Sequence, residues 1–295
     1  MNARDRLDLR HMSRALELAR RGLWTTDPNP RVGCVIAEGE RVISEGWHER
    51  AGGPHAEAAA LAVAGAAARG ATAYVTLEPC CHHGRTPPCT DALIAAGLRR
   101  VCYAIRDPNP RISGGGAARL AAAGIDVTNG VLGAAARALN PGFLSRMERG
   151  RPWLRVKLSG GGDLQSLRAR SSAVMTGVAT VLAGDPRLDL QLPAATRQPL
   201  RIVLDTRLRT PLTARIIAPP GQAVILTASP DPSRIAALES SGARVLLVAA
   251  GPGGLDLDAV MSRLAGIEIN ELQVESGQTL IAALTKARLV DELLD

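Results

Sequence analysis

The chain has 295 residues, 46% hydrophobic and 21% charged, with a formal net charge of +7. That length suits two domains with separate cores, and the composition excludes an intrinsically disordered chain. No apolar run approaches the roughly 20 residues of a membrane span, and the charged opening Met-Asn-Ala-Arg-Asp-Arg has no signal-peptide core, so neither membrane insertion nor secretion is expected.

In chain order, Arg10 to Arg20 reads as a helix with Met12, Leu16 and Ala19 on one face. Val32 to Ala37 and Arg41 to Trp47 read as strands around the turn Glu38-Gly39-Glu40. An Ala-rich helix over Ala56 to Ala68 follows, then a strand at Thr72 to Thr76, a helix at Asp91 to Ala96 and a strand at Arg100 to Ile105. Ala117 to Ala123 and Ile125 to Thr128 add one more helix and strand. The stretch from Asn140 to Pro152 carries Pro and Gly without sustained periodicity and marks the domain boundary. Beyond it, strands are expected at Trp153 to Leu158, Ala173 to Thr176, Arg201 to Leu204, Ala223 to Thr227, Val245 to Val248 and Leu272 to Glu275. Helices fit at Leu164 to Arg170, Ser233 to Ser240, Leu257 to Leu264 and Leu280 to Ala287, and Val290 to Asp295 looks like the opening of a further strand. This alternation implies sheets with helices on both faces. The low-complexity pieces are Gly114 to Gly116 and Gly160 to Gly162.

The five cysteines are an odd number without a secretion signal, which argues for a reducing cytoplasm rather than a disulfide framework. Cys34 and Cys102 lie in apolar runs and read as small buried hydrophobes. His55-Ala56-Glu57, Pro79-Cys80 and Cys89 carry the chemistry. One His and two Cys hold zinc and leave a fourth position for water. Glu57 then serves that water as general base and acid, the signature of zinc nucleobase deaminases. A closed four-ligand knuckle, with Cys81, His82 or His83 as fourth ligand, leaves Glu57 unexplained. Eight residues separate Cys80 from Cys89, and a loop carrying Arg85 and Thr86 beside zinc suits a substrate with a phosphate tail. The scattered Arg residues and 2% aromatic content favour a basic surface and such a substrate over nucleic acid.

The first half resembles the deaminase domain of the bifunctional riboflavin-biosynthesis deaminase/reductase family. The resemblance rests on Thr26-Asp27-Pro28-Asn29-Pro30-Arg31-Val32-Gly33, the stretch Gly46 to Glu57, the Cys80–Cys89 loop and Asp107-Pro108-Asn109-Pro110. It implies deamination of 2,5-diamino-6-ribosylamino-pyrimidinone 5′-phosphate, with Asn29, His48 and Arg85 holding the substrate.

The second half resembles the reductase domain of the same family through Arg151 to Leu158, Leu167 to Ser171, Thr176 to Ala183, Arg201 to Thr206 and Val274 to Leu280. The resemblance implies NADPH as cofactor, with Arg168, Leu188 and Glu275 meeting substrate and Thr180, Thr206, Gly277 and Thr279 meeting NADPH. The chain departs from the family pattern in three places. Ser159-Gly160-Gly161-Gly162-Asp163 replaces a longer stretch by roughly two dozen residues, more than a routine loop change. Gly184-Asp185-Pro186 stands where the family usually has Asp-Asp-Pro, and Gln191 where it usually has Arg; a nicotinamide-side carboxylate and a substrate-phosphate contact are the roles at stake. The chain also stops about where the family's last strands begin, which would expose a strand edge.

The expected fold is α/β: a three-layer α/β/α cytidine-deaminase-like domain over residues 1–145 and a dihydrofolate-reductase-like domain over residues 151–295. The expected protein is a cytoplasmic homodimer that binds zinc and NADPH and takes a small phosphorylated pyrimidine. The alternative is a deaminase whose back half is only a folding or dimerisation platform.

Overall fold

Asn2 caps the first helix, which begins at Ala3 rather than Arg10. Its side chain accepts from the Asp5 backbone N–H while Asp5 accepts from the Asn2 backbone, a capping box that carries the helix through the charged opening residues. The computed structural model describes residues 2–82, 87–110, 112–158, 163–192 and 197–294. Arg85, His83 and Gly160 to Gly162 lie outside the described residues. The chain divides into two compact units, Met1–Glu148 and Arg149–Asp295.

In the first unit the elements are α1 (Ala3–Arg20), β1 (Gly33–Glu38), β2 (Arg41–Trp47), α2 (Ala56–Ala64, continued by a 3-10 turn Gly65–Ala68), β3 (Thr72–Val75), α3 (Cys89–Ala95), β4 (Arg100–Tyr103), α4 (Gly115–Ala122), β5 (Asp126–Asn129), α5 (Gly133–Leu139) and α6 (Pro141–Arg149). The sheet order is β2-β1-β3-β4-β5. β1 runs antiparallel to both neighbours, while β3, β4 and β5 run parallel. Strand alternation splits the core: Val35, Ala37, Tyr74 and Cys102 pack with Met12, Leu16, Ala136 and Phe143 on one face. Cys34, Ile36, Ala73, Val75 and Val101 pack with Ala60, Leu93 and Leu120 on the other. The result is the expected α/β/α sandwich. The stretch read as irregular is largely helix α6, because a proline at the first helical position starts a helix rather than breaking one. Asn140 anchors its approach by bonding both the N–H and the C=O of Arg31.

The second unit contains β6 (Trp153–Lys157), α7 (Leu164–Arg170), β7 (Ala173–Gly177), α8 (Val178–Gly184), β8 (Leu200–Leu204), β9 (Ala223–Thr227), α9 (Pro232–Ser240), β10 (Ala243–Leu247), a hairpin of β11 (Ala250–Gly251) and β12 (Gly254–Leu255), α10 (Leu257–Gly266), β13 (Glu271–Val274), α11 (Gln278–Lys286) and β14 (Glu292–Leu294). Seven strands form a parallel sheet in the order β10-β9-β8-β7-β13-β6-β14. Leu154, Met175, Ile202, Val224 and Leu272 pack under α10 and α11 on one face, and Val174, Val203 and Ile225 under α8 and α9 on the other. Helix α8 has no counterpart among the expected elements. Among the described residues, no helix is long and apolar enough to cross a membrane.

Sequence patterning also passes over one buried charge pair. Asp8, on the inner side of α1, takes a two-bond fork from Arg100 at 2.6 and 2.7 Å and a bond from the Tyr74 hydroxyl at 3.1 Å. Burial pushes the Asp8 carboxyl up, but Arg100 and Tyr74 outweigh it and hold the pKa below its ordinary value. A depressed carboxylate pKa contributes stability at neutral pH. That contribution is lost as pH falls through the ordinary carboxylate range toward the lower folded value. Asp8→Asn should destabilise the first unit by about 3–5 kcal/mol at pH 7, because it leaves Arg100 buried and uncompensated. Urea unfolding at pH 7 and about pH 3, below the ordinary Asp pKa, should show the gap between parent and variant narrowing as the pH drops; a constant gap would contradict the pairing.

Candidate active sites

His55 and Glu57 enter their site from the start of α2. His55 is the residue before the helix, with extended backbone, and Glu57 lies in the first turn, 4% exposed. Helix α2 reaches this position because β2 has no side chain in its way. A Cβ on Gly46 would lie 2.5 Å from both the Ala56 carbonyl oxygen and the Ala60 nitrogen. Cys80 follows β3, and Cys89 opens α3. The two segments are tied by bonds from the Thr90 N–H to the Cys80 carbonyl at 3.1 Å and from the Cys89 N–H to the Cys80 Sγ at 3.3 Å.

The His55 Nδ1 lies 3.6 Å from the Cys80 Sγ and 3.3 Å from the Cys89 Sγ. A tetrahedral zinc with Zn–S of ~2.3 Å and Zn–N of ~2.0 Å sets such N···S separations at about 3.5 Å. The donor set and its spacing therefore fit zinc, and among the described residues no fourth His, Cys or carboxylate joins the group. Cys81 instead points toward Gly115 of α4. The Cys89 thiol donates to the Cys80 sulfur. That bond, with His55, lowers the Cys80 pKa, and the same bond together with burial pushes Cys89 well up. A thiolate is thus already favoured where a soft cation would bind. Burial, reinforced by the negative charge at Cys80, pushes the Glu57 carboxyl up to about 6.

Asn29 and His48 are brought together beside His55. The His48 Nδ1 lies 2.8 Å from the Pro54 carbonyl, which only accepts, so Nδ1 carries the proton and Nε2 is an acceptor. The Asn29 amide then donates to Nε2 at 3.0 Å and keeps its carbonyl oxygen and second N–H for another partner. Burial lowers the His48 pKa and keeps the ring neutral. The His48 and His55 rings meet edge to face, with centroids 5.5 Å apart. Pro54, which orients His48, is a partner that residue type alone does not reveal. Asp107, in a quoted motif but given no role by the sequence, is buried in the segment after β4 and pushed up to about 6 by burial.

In the second unit a pocket of about 770 Å³ is lined by Arg168, Thr180, Leu188, Glu275 and Gly277, five of the residues singled out above. Arg168 and Glu275 engage each other in a fork at 2.9 and 2.7 Å, and Arg168 also donates to the Asp189 carbonyl at 2.8 Å. Thr180 accepts from the Gly277 N–H at 3.3 Å and bonds Ser276 at the same distance. Thr206 and Thr279 do not line this pocket. The Thr206 carbonyl accepts from the Thr227 hydroxyl, and Thr279 is exposed on α11. Lys157 lines the pocket as well; sequence reading passed over it, although it is one of only two lysines in the chain. Asp185 ends α8 in a left-handed conformation and accepts from the Arg215 N–H at 2.8 Å. Gln191 donates to Asp189 at 3.3 Å.

Residues 5–105 match the cytidine and deoxycytidylate deaminase zinc-binding region, and residues 145–294 match the RibD C-terminal domain. The riboflavin biosynthesis protein RibD of Escherichia coli (strain K12) is 45% identical over 317 residues, covering 96% of this chain and 85% of that protein. That span exceeds the 295 residues of this chain, so the relative carries additional residues within it. The structure of Acinetobacter baumannii RibD superposes with a TM-score of 0.89 at 39% identity, covering 98% of this chain and 86% of that one. A Thermotoga maritima structure is described as a diaminohydroxyphosphoribosylaminopyrimidine deaminase/5-amino-6-(5-phosphoribosylamino)uracil reductase. It superposes with a TM-score of 0.84 at 30% identity, covering 96% of this chain and 85% of that one. Taken with the N/S₂ cluster and the pocket of the second unit, these matches place the chain in the RibD family of riboflavin biosynthesis, a zinc-dependent deaminase joined to a reductase domain.

Proposed function

We propose that the first unit deaminates 2,5-diamino-6-ribosylamino-pyrimidinone 5′-phosphate and that the second reduces the ribosyl group of the product with NADPH. The convergence of His55 Nδ1 with the Cys80 and Cys89 sulfurs beside the buried Glu57 carries this reading. The two activities in the description of the Thermotoga maritima relative supply the substrate class.

His55, Cys80 and Cys89 hold the zinc, which when bound supplies Lewis-acid activation of water near neutral pH. Glu57 takes a proton from the attacking water and passes it to the ring nitrogen, then takes a second from the hydroxyl so added to the ring carbon and delivers it to the amine, which leaves as ammonia as the carbonyl forms; its raised pKa suits both directions of transfer. Asn29, oriented through His48 and Pro54, offers its carbonyl oxygen to the substrate's amino group and its free N–H to a ring acceptor. Arg85 takes the phosphate. In the second unit Arg168 holds Glu275 toward the substrate, and Leu188 supplies an apolar wall. Gly277, the residue before α11, lets an NADPH phosphate approach the helix's unpaired N–H groups. Thr180 supports that turn, and Thr206 and Thr279 bind more distant parts of the cofactor. The enzyme is a homodimer of the cytoplasm: its five cysteines are unpaired, and Leu293 is exposed on β14, an edge strand of the second sheet.

Ammonia release and NADPH oxidation, followed together with the ribotide substrate, test the whole reading. Glu57→Gln should lower kcat for ammonia release by about 10²–10⁴-fold while zinc content stays at the parent level. Undiminished turnover would remove Glu57 from the mechanism. Glu275→Gln should slow NADPH oxidation by about ten- to a hundredfold, the cost of a charged hydrogen-bond pair, with ammonia release unaltered. Ammonia release by the parent without NADPH consumption would leave a deaminase carrying only a reductase fold. Sedimentation should give twice the monomer mass; a monomer would refute the dimer.

A further inference from the structure

Behind the cysteine loop lies a buried carboxylate that the chemistry above does not use. Glu78 is 2% exposed and accepts three backbone N–H bonds, from Asp107 at 3.2 Å, Gly114 at 3.0 Å and Ala117 at 3.1 Å. Gly114 precedes α4 and Ala117 is its third residue, so the carboxylate satisfies N–H groups that the helix itself leaves open. The glycine run then brings the helix start directly onto the loop. A Cβ on Gly116 would lie 2.0 Å from the Pro79 carbonyl oxygen, and one on Gly115 would lie 2.9 Å from the Cys81 Sγ. Strand pairing reaches Glu78, whose N–H bonds the Ile105 carbonyl at 2.9 Å. Beyond that point the loop turns at Pro79 to present Cys80.

We propose that Glu78 and the run Gly114 to Gly116 are positioning residues that clamp Pro79 against α4 and so set where Cys80 presents its sulfur to the metal. The proposal rests on the reading of His55, Cys80 and Cys89 as the metal ligands. Its physical basis is that Pro79 lies between the clamp and Cys80, so a shift of its carbonyl by a few tenths of an ångström is passed to the adjacent ligand. An outer contact of this kind tunes a metal site without touching the metal. Gln at position 78 would turn an NH₂ toward backbone N–H groups that now meet a carboxylate oxygen.

Cobalt(II) in place of zinc provides a readout independent of turnover. The parent should show sulfur-to-cobalt charge transfer and the ligand-field bands of a tetrahedral site; their absence would sink the ligand assignment itself. With those bands present, Glu78→Gln should weaken metal binding in chelator competition by about 10–100-fold and shift the ligand-field bands. Gly115→Ala, which meets only the Cys81 sulfur, should shift the same bands with a smaller loss of affinity, and it decides the question if Glu78→Gln does not fold. Parent affinity and parent bands in the folded variants would overturn the proposal, whatever happens to their unfolding midpoints.

Discussion

The deaminase site depends on how closely helix α2 lies on strand β2. At Gly46 the helix backbone occupies the space that any side chain would need. That contact brings His55 and Glu57 to the level where the chain leaves β3 and enters α3. Three donors from separate segments then meet with spacings that suit one small cation. Zinc chemistry tolerates little looseness, and here the tolerance is met by backbone packing rather than by long side chains. The same packing buries Glu57, and burial moves its carboxyl toward neutral pH.

The two units handle buried charge in different ways. In the first, Asp8 and Arg100 form a closed pair between α1 and β4, and Glu78 is satisfied by backbone N–H groups alone. In the second, Arg155 is fully buried between Glu271 at 3.0 Å and Glu292 at 2.9 Å, while Arg168 and Glu275 face a pocket. The pocket pair differs from the structural ones in being reachable by a ligand, which can compete for either partner. This difference separates Glu275, a candidate for substrate contact just past the end of β13, from Glu271, an equally charged residue at the start of that strand.

Legibility in the sequence followed the range of the interactions. Residues 41–47, 164–170 and 223–227 have the expected elements at the expected boundaries, because alternation and helical periodicity are local. The start of α1 was missed because a capping box among charged residues leaves no apolar stripe. Helix α6 was missed because Asn-Pro-Gly reads locally as a turn, although Phe143 and Leu144 are buried against the first core. In the second unit, Thr180 and Gly277 converge as the motif suggested, whereas Thr206 and Thr279 sit apart from the pocket. Order along the chain reports ancestry but not distance.

From the sequence alone follow the candidate ligands, the candidate acid–base residue, the two-part organisation and the family, since each is a matter of residue identity and spacing. Only the tertiary structure decided which atoms meet. It placed His55 Nδ1 between two sulfurs, assigned the His48 proton through the Pro54 carbonyl, and paired Asp8 with Arg100 across 92 positions. It also showed that the glycines at 114–116 are where a helix start touches the cysteine loop. Such contacts depend on distances between segments far apart in the chain, and these are fixed when the sheets and helices pack.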